Sequence, residues 1–125
     1  MKVFIAIALL VSTNALSEQL YYFEYKSGTG RYEFVEPAQG NECSPSKYDS
    51  ISNAINAISF SMRSCAMNIN DFEPKKDKGD GKWTFVSLAF MCSGYQSIIE
   101  LHKDKAACSK SLKESRDGAA RKSRR

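Results

Sequence analysis

Four cysteines, Cys43, Cys65, Cys92 and Cys108, constrain this 125-residue chain more than any other feature. Their spacings are 22, 27 and 16 residues, so no two lie close in sequence. Zinc sites usually bring ligands together in near pairs such as C-x2-C, and that pattern is missing. An even count in a small exported chain reads instead as two disulfides.

The export reading rests on residues 1–17, MKVFIAIALLVSTNALS. One lysine, Lys2, precedes an uninterrupted apolar run from Val3 to Val11, and small polar residues follow. That is the order of a secretory signal peptide, with cleavage expected after Ala15 or Ser17. The run is far shorter than the ~20 residues needed to span a bilayer. The sequence therefore predicts a leader over 1–17, one disulfide-stapled domain over 18–115 and a basic, disordered tail over 116–125. The expected location is secreted or periplasmic, with no transmembrane segment.

Charge separates along the chain. Residues 18–102 carry eight Lys/Arg against eleven Asp/Glu, a net of −3. Residues 103–125 carry nine against three, a net of +6. The overall charge of +4 is thus a property of the C-terminal end and not of a basic globular surface. Lysines and arginines after 103 do not alternate with aromatics, whereas single-strand nucleic-acid platforms couple rings to a cationic groove. Nucleic acid is not an expected partner.

Alternation over LYYFEYKSGTGRYEFVEP predicts a β-hairpin, with Ser27–Gly30 as its loop. Pairing Lys26 with Arg31 would set Tyr25 opposite Tyr32 and Phe23 opposite Phe34. Tyr21, Phe23, Tyr25, Tyr32 and Phe34 then share one face. Lys26, Glu24, Arg31 and Glu33 share the other, with Glu24 and Glu33 as cross-strand neighbours. Pro37 ends the second strand.

Ser46–Cys65 carries the clearest helical stripe, Ile51, Ile55, Ile58, Met62 and Cys65. Ser44 or Ser46 is the expected N-cap. The most apolar later segment, Trp83–His102, supports two readings. As a helix it would align Phe85, Leu88, Cys92, Tyr95, Ile99 and His102. As a hairpin turning at Ser93-Gly94, it would align Val86, Leu88, Phe90, Cys92, Tyr95, Ile99 and Leu101. The hairpin is the better fit, because its start is rich in strand formers and a mid-helix glycine costs about 1 kcal/mol. A short helix over 103–115 carries Cys108.

The expected fold is α+β: a small antiparallel sheet from two β-hairpins packed on one long amphipathic helix, in the order β-β-α-β-β-α, with two disulfides. A helix over 46–65 is about 30 Å long, so Cys43 and Cys65 cannot approach within disulfide range. Two pairings survive, Cys43–Cys92 with Cys65–Cys108 or Cys43–Cys108 with Cys65–Cys92. Both stay open; the second fits better because Cys65 and Cys92 both lie on apolar faces.

No constellation for catalysis, cofactor or metal binding emerges. His102 is the only histidine, and Glu100 shares its strand face, so a Glu-His pair is the one acid/base candidate. Glu24, Glu33 and Glu36 could be imagined as glycosidase carboxylates. A general acid needs an apolar pocket to raise its pKa, and lysines beside these groups argue the opposite. Asp71, Asp77 and Asp80 lack the register of an EF-hand.

By elimination, the expected function is an exported protein-binding domain, an inhibitor or immunity-type protein that occludes an enzyme or toxin. The expected contact is the charged segment around Asp71, Glu73, Lys75, Lys76, Asp77, Lys78, Asp80 and Lys82, or the Ser27–Gly30 tip. The aromatic face of the first hairpin reads either as core or as the seam of a homodimer. The alternative is a cationic effector or toxin whose tail attaches to anionic surfaces.

Overall fold

The computed structural model describes residues 19–67, 75–76 and 83–123. The leader over 1–17 lies outside them, as do Asp71, Glu73, Asp77, Lys78, Asp80 and Lys82 of the charged segment.

Strands β1 (Tyr21–Gly28) and β2 (Arg31–Glu36) form the first hairpin. The turn is Thr29-Gly30, both with positive φ (46° and 78°), which suits a two-residue hairpin loop. This corrects the expected four-residue loop. Gly28 pairs with Arg31, Lys26 with Glu33 and Tyr25 with Phe34. The register differs by two residues from expectation. A shift of two preserves the faces, so the rings still share one side. Beyond Tyr25 the register breaks and Glu24 pairs with Glu36, leaving Val35 as a bulged residue. The expected Glu24–Glu33 neighbours are thereby replaced by Glu24–Glu36.

Residues 44–45 form a two-residue strand, β3 (Ser44–Pro45), beside Tyr21 and Tyr22 of β1. Helix α1 covers Ile51–Ser61. It is shorter than the predicted 46–65, because Ser44 to Ser46 are held to β1 and Leu20. The Ser46 amide donates to the Leu20 carbonyl at 2.7 Å. Ser50, not Ser44 or Ser46, is the N-cap, accepting from the Asn53 amide at 3.1 Å. At the other end the chain leaves the helix to place β4 (Ala66–Met67) against the later hairpin.

Strand β5 (Lys75–Lys76) pairs with the start of β6 (Trp83–Cys92), and β7 (Tyr95–His102) returns after Ser93-Gly94. Gly94 has φ of 84°, a backbone setting that glycine adopts without strain. The β6–β7 register is Cys92 opposite Tyr95, Phe90 opposite Ser97, Leu88 opposite Ile99 and Val86 opposite Leu101. The sheet runs β2-β1-β7-β6-β4, and every pairing is antiparallel.

Both sheet faces are covered, where one was expected. On one face Leu88, Phe90, Ile99 and Leu101 pack with Ile51, Ala54 and Ile58 of α1. On the other, the buried Phe23, with Tyr21, Tyr25 and Phe34, packs under Leu112 and Cys108 of helix α2 (Lys105–Ser123). The helix continues well past residue 115, where the sequence reading expected a disordered tail. Arg116 is the reason: its guanidinium lies 4.8 Å from the Phe34 ring centroid and donates to the Pro37 carbonyl.

Cys43 is bonded to Cys108 (Cα–Cα 6.1 Å) and Cys65 to Cys92 (Cα–Cα 4.5 Å). The first bridge ties the segment after β2 to α2. The second ties the segment after α1 to the end of β6. Two disulfides in a chain this small belong to an oxidising compartment such as the periplasm or the extracellular space. No helix among the described residues is long and apolar enough to cross a membrane.

Candidate functional site

Three places carry side chains that could act on another molecule. The first is a cleft of about 400 Å³ between α1 and the β1–β3 edge. Its floor is apolar, from Ile58, Ile99 and Leu101, and its walls include Tyr22 and Tyr48. Glu24 stands at the rim. Even-numbered residues of β1 face α1, so Tyr22 and Glu24 project to the same side. The β2 bulge brings Glu36 opposite Glu24, and Ser44 Oγ donates to Glu36 Oε2 at 3.0 Å.

Burial pushes the Glu24 carboxyl above the ordinary carboxylate range; Lys26 pulls against this and Glu36 adds to it. The sequence argument that a neighbouring lysine would hold this group down is overturned, because partial burial outweighs Lys26. The Tyr22 phenol is also raised, first by burial and then by Glu36, Glu24 and Tyr48. No sequence signal announced this cleft. Its carboxylate pair depends on a bulge, and its tyrosines come from segments 26 residues apart.

The second place is the Glu-His pair. His102 Nε2 lies 2.5 Å from Glu100 Oε1, and Ser111 Oγ donates to that same oxygen at 2.6 Å. Sequence reasoning missed Ser111, although its position three residues after Cys108 puts it on the inward side of α2. The order of the three groups matters. A serine nucleophile needs the imidazole between hydroxyl and carboxylate. Here the carboxylate sits between the other two, so the imidazole cannot take the Ser111 proton. His102 is 6% exposed, and Phe85 stacks on its ring at 4.9 Å. The cluster closes α2 onto the sheet.

The third place surrounds the Cys65–Cys92 bridge. Phe60 is 68% exposed on the outer side of α1. The Arg63 guanidinium lies 4.4 Å from its ring centroid, and Arg63 Nη1 donates to the Phe60 carbonyl at 3.0 Å. Met67, Met91 and Tyr95 are the other exposed large apolar residues near the bridge. Met67 faces the α1 side of the sheet edge and Met91 the opposite side, since Met67 pairs with Phe90 and Ala66 with Met91.

Of the charged segment proposed from sequence as a contact, only Lys75 and Lys76 are described, as backbone partners of Phe85 and Trp83. The other six residues of that set lie outside the described residues. Among the described residues, no group of three or more His, Cys, Asp or Glu is placed to hold a metal ion. No protein-family model, curated protein or solved structure matches this chain.

Proposed function

We propose that the chain is an exported, disulfide-stapled protein-binding domain of the inhibitor or immunity type, which occludes an enzyme or toxin in the periplasm or extracellular space. The observation that carries this reading is Phe60, a large aromatic side chain left 68% exposed on a short helix and capped by Arg63. Aromatic and arginine side chains dominate the energetics of protein interfaces. Phe60 takes no part in the core of α1, which buries Ile51, Ala54 and Ile58 on its inner side. The Cys65–Cys92 bridge fixes the chain just after this pair, so little conformational entropy is lost when a partner docks.

The charged segment 70–82 follows Met67 closely in the chain. Its mixed Asp, Glu and Lys residues suit electrostatic guidance of the same partner. An enzyme or toxin with a charged cleft is the partner this combination fits. A second copy of the chain is the other occupant to test, and sedimentation at several concentrations separates the two.

The alternative, a cationic effector attached to anionic surfaces by its C-terminal end, draws less support. Lys105 is paired with Glu42 at 2.6 Å, and Arg116 covers Phe34. A lysine and an arginine of that end thus already have partners on the chain itself. The discriminating experiment is affinity capture from envelope and culture extracts with the wild-type chain and with Phe60→Ala. A partner retained by the first and lost by the second supports the reading; capture unaffected by Phe60→Ala contradicts it.

A further inference from the structure

We propose that the cleft between α1 and β1 binds an ammonium or guanidinium group carried on an apolar stem. Four observations converge on that chemistry. First, the cleft holds about 400 Å³ over a floor of Ile58, Ile99 and Leu101, which would take the stem. Second, two tyrosine rings, Tyr22 and Tyr48, wall it, and ring faces attract cations.

Third, the Glu24 carboxylate at the rim makes no hydrogen bond or ion pair with any described residue. It is only partly exposed, and a desolvated carboxylate without a partner is costly. Glu36 does not share this state, because Ser44 Oγ satisfies one of its oxygens. Fourth, the cleft wall already takes a cation of the chain's own: Lys47, which lines the cleft, sets its Nζ 5.5 Å from the centroid of the Tyr48 ring, whereas Lys26 is turned to Tyr95, 5.2 Å from that ring's centroid.

Other ligand classes fit less well. An anion would meet the Glu24 carboxylate at the rim. A wholly apolar molecule would strip more water from Glu24 and return nothing for it. A divalent cation wants three or more hard ligands, and none of the described residues assemble such a set here.

This inference is independent of the Phe60 reading, since Phe60 lies on the outer side of α1 and the cleft on its inner side. The probe is n-hexylammonium chloride, titrated at low salt into the ¹⁵N-labelled, oxidised chain, with hexan-1-ol and hexanoate as controls. The expected result is a saturable shift of the Tyr22, Tyr48 and Leu101 amide signals. Hexan-1-ol should bind about tenfold more weakly, and hexanoate should produce no saturable shift. Glu24→Gln should weaken hexylammonium by about tenfold while the spectrum elsewhere is unchanged. N-acetyl-lysine methylamide separates the two sources of the group. Tighter binding than hexylammonium assigns a protein side chain, and weaker binding assigns a free amine. Equal binding of hexan-1-ol and hexylammonium would overturn the proposal, as would preference for hexanoate or the absence of any saturable shift.

Discussion

Ser111 on α2 and Glu100 on β7 are joined by a 2.6 Å hydrogen bond that closes the C-terminal helix onto the middle of the sheet. Removing the donor leaves a partly buried carboxylate with one partner fewer. Ser111→Ala is expected to destabilise the fold by about 1–3 kcal/mol, read as a lower urea midpoint with an unchanged slope. A structural role further predicts that Ser111→Thr, which keeps the hydroxyl, recovers part of the loss.

Arg116 and Phe34 hold the far half of α2 in place. Arg116→Ala should cost about 1–2 kcal/mol and accelerate amide exchange over residues 117–121 ahead of 106–112. Arg116→Lys should not restore protection, because an ammonium cannot both stack on Phe34 and reach the Pro37 carbonyl in the same planar way.

These two contacts also explain why the last helix was hard to read in the sequence. Among its described residues only Cys108 and Leu112 are fully buried, too few for a helical stripe to stand out. What orders residues 116–123 is a contact with β2, some 80 positions away. By contrast, the β6–β7 pairing matches the hairpin reading of the sequence. Ser93-Gly94 fixes its turn, and Val86, Leu88, Ile99 and Leu101 face one another across it. The first hairpin was legible in its faces and not in its register. Ser-Gly-Thr-Gly offers two places to turn, and Thr29 takes a positive φ that its side chain does not advertise. The long helix was overextended because an apolar stripe says nothing of the sheet pairings that claim its two ends. The cleft was invisible for a similar reason: the Val35 bulge that sets Glu36 opposite Glu24 leaves no local signature.

Each disulfide closes a loop of different length, with separations of 65 residues for Cys43–Cys108 and 27 for Cys65–Cys92. Chain entropy ranks them at roughly 4 and roughly 3.5 kcal/mol respectively. Paired Cys→Ser substitutions should therefore lower stability in both cases, slightly more for the Cys43–Cys108 pair. Equilibrium denaturation of the two double variants checks the ranking.

Glu24 makes stability depend on pH in a stated direction. Its carboxyl is raised by burial, against Lys26 and with Glu36, in a setting that also includes Tyr22, Tyr48 and Lys47. The folded chain therefore holds this proton more tightly than the unfolded chain does. Between the ordinary glutamate value of 4.5 and the raised folded value, stability falls as pH rises, and the cost persists above it. Glu24→Gln removes that cost. Its melting temperature should exceed wild type at pH 7–8, and the difference should vanish below the ordinary carboxylate range. A difference that grows on acidification would contradict the assignment.

The most direct test of the account is a comparison of Phe60→Ala with wild type in quantitative capture from envelope and culture extracts, after both are shown to have the same melting temperature and four oxidised cysteines. The account predicts that one protein is enriched by wild type and by Ser111→Thr and is lost with Phe60→Ala. Equal enrichment by wild type and Phe60→Ala, or no protein enriched by either, would contradict it.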